Sequence, residues 1–351
     1  MTMISHSKPT ITEKDMNNVI NVLKSGFVGA GDKTEEVKKL ISGLLDKKET
    51  FFLNSGTSSL FLSLKALHLK EDDEIIISNY SCPTLYNQIC NIPATPVLVD
   101  TDENSFFINE KQIFEKINNR TKAVLINHPF GHFENALLKI KNAGVFIIED
   151  ITHSLGAKAF NGIKTGSLGD IVICSFGSAK LITSGTGGSI STSIEDIIIK
   201  LRAMLDYEYV EHDISYNVNR HNLKLGDLNA SLLLSQLGQL DYFISKRKIL
   251  SKIYYDNLKN PYPFSFSENS IYYRFFIHDD PAKIRKILNY LSEKNILTVI
   301  GGFRIISNII GCDENFPHSV KAHKSFLSIP IYPSLSNNEI HFIVKSMKEA
   351  F

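Results

Sequence analysis

The sequence predicts an α/β protein with a large, mostly parallel β-sheet followed by a small C-terminal α/β domain. Between residues 51 and 193, short β-rich runs alternate with longer helical patterns, an order typical of βαβ units. The predicted strands are almost continuous in Val, Ile and Leu, which fits a sheet covered on both faces. After about residue 225 a long amphipathic stretch leads into a second, shorter set of strands and helices. We therefore expect a large domain at residues 1–240 and a small one at residues 241–351.

The predicted strands of the large domain are residues 51–54, 74–78, 95–100, 122–127, 145–150, 170–176 and 187–193. Helices are predicted between the first five of these strands, at residues 57–69, 84–90, 111–117 and 134–144. Residues 225–258 carry apolar side chains at three- and four-residue spacing and are predicted to form one long helix. In the small domain we expect strands at residues 261–266 and 272–278 and helices at residues 281–295 and 336–351.

Composition and charge exclude several classes of protein. The chain has 38 Lys and Arg against 37 Asp and Glu and no basic run, so we expect no nucleic-acid partner. Its four cysteines form no C-x-x-C pair and no Cys/His cluster at zinc spacing, which predicts reduced thiols and no metal site. No apolar run approaches the ~20 residues that span a bilayer, and the first ten residues lack the apolar stretch of a signal peptide. We therefore expect a cytoplasmic protein without a membrane partner.

Three groups of residues at the ends of predicted strands carry chemistry. Asp150 closes one strand and His153 follows it, and Lys180 follows another strand just before a turn that contains Gly185, Gly187 and Gly188. Ligands bind at the carboxyl ends of strands in open α/β sheets. The third group, residues 54–60, reads NSGTSSL and opens a helix, where free N–H groups and the helix dipole attract phosphate.

Each group alone has an ordinary explanation. A small-residue turn can simply cap a helix, and a single lysine after a strand is usually a surface residue. Together, however, a phosphate cradle, a carboxylate and a lysine are what pyridoxal 5′-phosphate (PLP) requires. The carboxylate keeps the pyridine nitrogen protonated, and the lysine forms an imine with the cofactor and moves a proton. The combination predicts a PLP enzyme.

The chain resembles the DegT/StrS family of PLP-dependent aminotransferases. The matching stretches are FFLNSGTSSLFLSLKAL, SNYSCPTLYNQICNIPATPVLVD, VFIIEDITHSLGA, GSLGDIVICSFGSAKLITSGTGGSIST and SFLSIPIYPSLSNNEI. They occur in family order over nearly the whole chain. The resemblance implies the aspartate aminotransferase-like fold for the large domain, PLP as cofactor, and a homodimer with shared active sites.

The resemblance also implies roles for individual residues. Lys180 matches the Schiff-base lysine, and Asp150 matches the partner of the pyridine nitrogen. His153 matches the residue that hydrogen-bonds the ring hydroxyl, with a buried structural histidine as the alternative. The positions that match the phosphate site are Gly56, Thr57, Ser58 and Ser175.

Three further positions match family residues with less regularity. Tyr80 stands where the family places an aromatic ring stacked on the cofactor, and could equally be a core aromatic. Thr152 is expected beneath the opposite face of the cofactor. The stretch RHNLKLGDLNASLLLSQL corresponds to a loop that crosses into the neighbouring subunit, which implies that Asn222 reaches the partner's cofactor. Lys224 replaces the usual Arg of that loop and is a poorer bidentate clamp.

The substrate side departs further from the family pattern. A Gly-Glu-Gly-Gly run is replaced by Gly-Thr-Gly-Gly at residues 185–188, and the His-Tyr-Pro-like segment that helps to hold a sugar nucleotide is absent from residues 298–310. Arg304 in that segment is a candidate phosphate ligand, with an exposed surface arginine as the alternative.

Several functions are consistent with these residues. The resemblance implies transfer of an amino group, from glutamate in most of the family, to a nucleotide-linked keto-sugar for surface-polysaccharide or amino-sugar biosynthesis. Lys180 argues against the related dehydratases, which carry His there. The altered substrate side keeps open a small phosphorylated ketone or another non-nucleotide carbonyl as acceptor. A non-catalytic PLP- or sugar-binding regulator is a third hypothesis.

Overall fold

The computed structural model describes residues 3–206, 219–262 and 265–351. The strands of its larger sheet are β1 (Glu49–Leu53), β2 (Glu74–Ser78), β3 (Thr95–Val99), β4 (Thr121–Asn127), β5 (Ile147–Asp150), β6 (Ile171–Ser175) and β7 (Gly188–Thr192). Their order is β1-β7-β6-β5-β4-β2-β3. Strand β7 pairs antiparallel with both neighbours, and the other pairs in this sheet are parallel. The prediction of an α/β fold with a mostly parallel sheet is confirmed.

Helices cover both faces of this sheet. They are α1 (Glu13–Ser25), α2 (Asp32–Leu45), α3 (Gly56–Ala66), α4 (Pro83–Cys90), α5 (Glu110–Lys116), α6 (Ala136–Asn142), α7 (Glu195–Leu205) and α8 (Asp227–Leu237). Successive strand residues point to opposite faces: Ile171 and Ile173 pack in one apolar cluster with α3 and α7, and Val172 packs in another with α2 and α8. This two-sided burial explains why the strand sequences are almost continuously apolar.

The predicted helix at residues 225–258 is two helices. Helix α8 ends at Leu237, and α9 begins at Leu240 and runs to Asn257 (Leu240–Asn257). The break lies at Gly238 and Gln239, where Gln239 leaves helical geometry with ψ near 2°. The apolar spacing continues through the break, so periodicity alone gives no sign of it. Glycine within a helix costs about 1 kcal/mol relative to alanine, and this is the one local feature that favours a break here.

A second, antiparallel sheet follows, with strands β8 (Pro261–Tyr262), β9 (Phe275–His278), β10 (Val299–Ile300) and β11 (Phe326–Ile329) in the order β10-β11-β9-β8. Its helices are α10 (Pro281–Glu293), α11 (Ser307–Ile310), α12 (Pro317–Ser325) and α13 (Asn337–Ala350). Ile4 pairs with Ile296 and belongs to the apolar core around this sheet. Helix α9 contributes Phe243 to the large-sheet core and Leu250 to the second core. The division at residue 240 stays a prediction.

Polar contacts fasten the second sheet to the large one. The Asn79 side chain, after β2, accepts a hydrogen bond from the Ser307 backbone N–H at 2.8 Å and donates to the Ser307 hydroxyl at 3.1 Å. The Asp100 carboxylate, after β3, accepts from the backbone N–H groups of His318 at 3.0 Å and Ser319 at 2.8 Å, at the start of α12. Both sets of hydrogen bonds, those of Asn79 and those of Asp100, lie at the carboxyl ends of parallel strands. The second sheet is therefore held next to the edge where an α/β sheet binds ligands.

Within the described ranges, no helix combines the length and apolarity needed to cross a membrane. The same residues form no group of three or more His, Cys, Asp or Glu side chains that could hold a metal ion. The four cysteines are free: Cys82 and Cys90 are exposed, Cys174 is buried, and Cys312 is intermediate. The sulfur atoms therefore form no disulfide framework.

Candidate active site

A cavity of about 230 Å³ opens at the carboxyl ends of β4, β5 and β6, beside the start of α3. The predicted site residues that line it are Gly56, Thr57, Asp150, Thr152, His153, Ser175 and Lys180. Although these residues are spread over more than a hundred positions of sequence, the parallel strands bring them to one edge of the sheet. The structure thus brings together seven residues that the sequence predicted to form one site.

Lys180 reaches the cavity from a short turn after β6. The turn is held by its own backbone, because the Lys180 N–H donates to the Gly177 carbonyl at 3.0 Å. The Tyr273 hydroxyl, before β9, donates to the Ala179 carbonyl at 3.0 Å. Phe176 anchors the start of the turn, with its buried ring stacked on Phe52 at a centroid distance of 5.8 Å. The lysine is therefore a flexible side chain on a fixed backbone.

Asp150 ends β5 and lies at the floor of the cavity. Its carboxylate accepts a hydrogen bond from the Thr152 N–H at 2.9 Å. Burial raises the pKa of Asp150 above its ordinary value, and hydrogen bonds from Thr152 and the charge of Lys180 act in the opposite direction. The Thr152 hydroxyl in turn accepts from the Ser175 N–H at 3.1 Å, which ties β5 to β6. A cationic N–H group placed against this carboxylate would supply both a hydrogen-bond donor and a counter-charge.

The start of α3 forms the predicted phosphate cradle. Ser55 caps the helix by accepting from the Ser58 N–H at 3.1 Å, and the N–H groups of Gly56 and Thr57 belong to the first turn, which has no intrahelical acceptors. A Cβ atom on Gly56 would lie 2.5 Å from the Ser175 Cβ. Only glycine therefore lets the helix start come so close to β6. Ser58 is not part of the cavity wall, since its hydroxyl donates to the Asn54 side chain at 2.7 Å.

His153 forms one wall of the cavity between two aromatic rings. Its imidazole stacks on Tyr273 at 4.3 Å with an interplanar angle of 14°, and on Phe130 at 5.8 Å with an angle of 15°. Burial, and then the positive charges of Lys180 and Arg274, hold the pKa of His153 well below its usual range. The ring is therefore neutral and keeps one N–H donor. It lines the cavity and is packed as a structural side chain at the same time.

The structure does not bring Tyr80 to the cavity. Its ring is fully buried and meets Phe130 edge-to-face at 6.2 Å and Phe303 at 5.9 Å. The Tyr80 hydroxyl donates to the Gly301 carbonyl at 3.0 Å. Of the two interpretations of the sequence, this geometry corresponds to the core aromatic, and it gives the hydroxyl a partner in a distant loop.

Arg304 also lies away from the cavity. Its side chain is exposed, whereas its neighbour Phe303 is half-buried and lines the cavity. The loop has a defined shape, because the His323 Nε2–H donates to the Phe303 carbonyl at 2.9 Å. Gly301 and Gly302 have φ values of +64° and +77°, and a Cβ on Gly301 would lie 2.2 Å from the His323 ring. Only glycine fits these positions.

Asn222 is exposed and does not line the cavity of its own chain. The Asn54 N–H donates to the Leu223 carbonyl at 2.8 Å, and Lys224 forms a bridge with Leu53. The segment therefore runs along the end of β1, next to the turn that opens α3. Lys224 forms an ion pair with Asp206 at 3.5 Å.

A buried acid–histidine pair, His128 and Glu149, was not predicted from the sequence, and its histidine lines the cavity. His128 Nδ1 accepts from the Glu134 N–H at 2.9 Å, so its Nε2–H donates to Glu149 at 2.8 Å. Glu149 also accepts from the N–H groups of Gly166 at 2.5 Å and Gly169 at 2.6 Å. Burial acts to raise the pKa of Glu149, and these hydrogen bonds lower it overall. Glu149 is therefore a buried anion directly before Asp150.

Ser55, Leu60 and Gly187, which also line the cavity, belong to the two turns that the sequence singled out. The other lining residues were not predicted: Cys82, Thr84, Leu85, Asn127, Ile173, Cys174, Gly177, Thr186 and Phe303. Asn127 ends the predicted strand at residues 122–127 and His128 follows it directly. Their position at a strand end was therefore a signal that the sequence offered. Chain order carries no comparable signal for Phe303, which enters from the second sheet.

The residues present fit PLP. The free N–H groups at the start of α3 and the Ser175 hydroxyl suit a phosphate group. Burial raises the pKa of Asp150, and a protonated ring nitrogen beside this carboxylate would favour its ionised form, while Lys180 lines the same cavity. No second cluster among the described residues combines these three features.

The sequence model of the DegT/DnrJ/EryC1/StrS aminotransferase family matches residues 9–348 of this chain. GDP-perosamine synthase of Escherichia coli O157:H7 is 26% identical, with 98% of this chain and 97% of the relative covered. A dTDP-3-amino-3,6-dideoxy-alpha-D-galactopyranose transaminase of Aneurinibacillus thermoaerophilus is 28% identical over 95% of both chains. The PLP-form of the putative sugar aminotransferase Spr1654 from Streptococcus pneumoniae has a TM-score of 0.89 and 22% identity, covering 99% of this chain and 98% of the other.

Proposed function

This chain belongs to the DegT/DnrJ/EryC1/StrS aminotransferase family and is a PLP-dependent aminotransferase, and we propose that it transfers an amino group from glutamate to a nucleotide-linked keto-sugar. The observation that carries the proposal is the meeting of Lys180, Asp150 and the start of α3 in one cavity. Nearly full-length similarity to two proteins named for nucleotide-linked amino-sugars supports the acceptor class. The product would serve surface-polysaccharide or amino-sugar biosynthesis.

Each site residue has a distinct task in this proposal. Bound PLP supplies a ring that stabilises negative charge on the carbon that loses a proton. Lys180 holds the cofactor and then moves that proton. Asp150 holds a proton at the ring nitrogen, and Thr152 orients the Asp150 carboxylate by its N–H. The neutral His153 ring donates its N–H to, or accepts from, the ring hydroxyl.

The start of α3 would hold the phosphate of the cofactor. The N–H groups of Gly56 and Thr57 and the Ser175 hydroxyl would bind it, aided by the dipole of α3. The Ser58 side chain is engaged with Asn54, so Ser58 contributes through the shape of the turn.

A homodimer with shared sites completes the proposal, with Asn222 supplied by the neighbouring subunit. The exposure of Asn222 and its place beside the turn that opens α3 support this arrangement. Mixing inactive Lys180→Ala and Asn222→Ala chains under exchange conditions should restore about a quarter of the sites, because a two-fold dimer of the two variants has one intact site. An active monomer, or no restored activity in proven mixed dimers, would contradict it.

The acceptor is tested by supplying candidate ketones to the pyridoxamine phosphate form of the enzyme. Nucleotide-linked keto-sugars and small keto-phosphates should be compared under single-turnover conditions, with the return of PLP absorbance and the mass of the amino product as readouts. We expect turnover of at least one nucleotide-linked keto-sugar. A second candidate is a small phosphorylated ketone or another non-nucleotide carbonyl, which the absence of the His-Tyr-Pro-like segment from residues 298–310 keeps open. Turnover of small keto-phosphates alone would establish that second candidate.

A further inference from the structure

Tyr273, just before β9, links the second sheet to the turn that carries the lysine. It is 3% exposed, and its hydroxyl lies 3.0 Å from the carbonyl oxygen of Ala179, the residue before Lys180. A carbonyl oxygen can only accept, so the tyrosine hydroxyl donates. Tyr273 also belongs to the same buried apolar cluster as Leu181 and Ile182, the two residues after Lys180. The chain on both sides of the lysine is therefore held by Tyr273 or by the cluster to which it belongs.

The ring of Tyr273 supports a second residue of the site. It stacks on the His153 imidazole at a centroid distance of 4.3 Å, closer than the 5.8 Å between His153 and Phe130 on the other side. An imidazole packed between two flat rings cannot turn about its own bond without a clash, because protein interiors are close-packed. Tyr273 therefore contacts the backbone beside Lys180 through its hydroxyl and the side chain of His153 through its ring.

The backbone of Tyr273 is fixed from two directions. On one side, the Ile271 N–H donates to the Gly131 carbonyl at 2.9 Å, and a Cβ atom on Gly131 would lie 2.6 Å from the Tyr273 backbone nitrogen. On the other side, Arg247 on α9 is 3% exposed, and its Nη1 donates to the carbonyl oxygens of Tyr273 at 3.1 Å and Ile331 at 2.6 Å. Since the backbone is held on both sides, the hydroxyl and the ring are presented to the site at fixed positions.

We propose that Tyr273 is a positioning residue for the cofactor: its hydroxyl fixes the backbone from which Lys180 reaches the cavity, and its ring fixes the plane of His153. The inference rests on the proposed function, in that Lys180 holds the cofactor and His153 contacts its ring hydroxyl. A lysine side chain is long and flexible, so the position of its amine depends on a fixed starting point. A turn that is already ordered loses little further conformational entropy when the amine bonds to the cofactor.

Tyr254 offers a matched comparison within the same fold. It is fully buried on α9, and its hydroxyl donates to the Pro330 carbonyl at 2.8 Å. This hydrogen bond is of the same chemical kind as that between Tyr273 and Ala179, but neither Tyr254 nor Pro330 is next in sequence to a residue that lines the cavity. Tyr254→Phe therefore removes an equivalent buried hydrogen bond without touching the site.

The experiment compares the binding of two cofactor forms to the wild type, Tyr273→Phe, Tyr273→Leu and Tyr254→Phe. PLP carries an aldehyde that can bond to Lys180, whereas pyridoxamine phosphate carries an amine in its place and cannot. Each full-length protein is loaded with one form or the other, and the dissociation constants are measured by equilibrium dialysis. Hydrogen exchange of the cofactor-free proteins, followed by mass spectrometry, reports the mobility of residues 177–184. Thermal unfolding of each variant reports the fold.

Tyr273→Phe should weaken PLP binding by roughly 3- to 10-fold, as expected for one hydrogen bond, and should change pyridoxamine phosphate binding by less than about twofold. Hydrogen exchange in residues 177–184 should become faster in this variant, because the turn opens more readily. Tyr273→Leu should weaken the binding of both forms, since His153 also loses its stacking partner. Tyr254→Phe should be destabilised to a similar degree and keep wild-type affinity for both forms.

Equal weakening of both cofactor forms by Tyr273→Phe would reduce Tyr273 to a structural residue, and unchanged PLP binding would show that Lys180 does not depend on the hydroxyl. Either result overturns the inference, as would the same pattern in Tyr254→Phe. Unchanged pyridoxamine phosphate binding in Tyr273→Leu would remove the role of the ring. Failure of the proposed function is seen separately: without borohydride labelling of Lys180 in the wild type the lysine assignment fails, and without turnover of a nucleotide-linked keto-sugar only the acceptor fails.

Discussion

The two ends of the cavity are built in different ways. At the cofactor end, Asp150 and Ser175 are the last residues of adjacent parallel strands, and backbone hydrogen bonds of the sheet fix them. At the other end, Phe303 projects from a loop of the second sheet, held by Tyr80 and His323 from distant parts of the chain. The first end depends on strand geometry, and the second depends on how two sheets pack. Substitutions at the two ends should therefore affect different steps of the reaction.

The largest effect is expected for Lys180→Ala at the cofactor end. Loss of the amine removes proton transfer, which contributes on the order of 10²- to 10⁴-fold to a rate. Borohydride should attach the cofactor covalently to the wild-type protein at Lys180, as shown by peptide mass spectrometry, and should leave the variant unlabelled. Recovery of the label on another lysine would contradict the assignment of this residue.

A smaller loss is expected for Asp150→Asn, which keeps the shape of the side chain and removes its charge. Without the carboxylate the ring nitrogen has no charged partner. We therefore expect cofactor affinity to fall by roughly 10- to 100-fold and proton transfer to become slower. Equilibrium dialysis with PLP and single-turnover rates with glutamate measure the two effects. Normal affinity and turnover would show that Asp150 has only a structural role.

We propose that the acceptor binds at the end of the cavity that Phe303 lines, the acceptor end. There, Phe303→Ala and Arg304→Ala form a matched pair of adjacent residues. Phe303→Ala should raise the KM for the keto-substrate by roughly 5- to 30-fold, because an apolar contact on the cavity wall is lost. Arg304→Ala should change it less than about threefold, as for other exposed charges. Steady-state kinetics at saturating donor decide between them. The reverse order would restore Arg304 as the phosphate ligand that the sequence suggested.

The smallest effect on turnover is expected for Glu134→Gln, behind the cofactor end. Burial raises the pKa of Glu134 from 4.5 to about 8, although hydrogen bonds from Ile108 and Ala136 act against the shift. Between these values the folded state binds a proton that the unfolded state has released, so stability falls as pH rises. The slope is about 1.4 kcal/mol per pH unit for one proton. Thermal unfolding of the variant between pH 5 and 8 should lack this slope; identical profiles would show that Glu134 is ionised when folded.

The sequence signals at the cofactor end are local. A carboxylate at the end of an apolar strand, as at Asp150, and a small-residue helix start, as at Gly56, are readable within a few positions. The alternation of strands and helices then predicts a mostly parallel sheet, and such a sheet gathers strand ends at one edge. Helices α1, α2 and α7 were not predicted. The break at Gly238 was not predicted because the apolar periodicity runs through it.

The acceptor end could not be predicted in the same way. Tyr80 and Phe303 are 223 residues apart in the chain, and their rings meet only because Asn79 and Asp100 clamp the second sheet to the first. Sequence analysis therefore chose the charged Arg304 by residue type, whereas the backbone directs its neighbour into the cavity.

The glycine loop before Phe303 also limits how this enzyme can be redesigned. An attempt to change the acceptor by grafting residues 298–310 from a relative would transplant the loop without the two side chains that support it. Tyr80 lies in the first third of the chain and His323 on α12, outside the grafted segment. A graft that ignores them would leave a backbone shape with no supporting contacts. Exchanges at this end should therefore carry the loop, residue 80 and residue 323 as one unit.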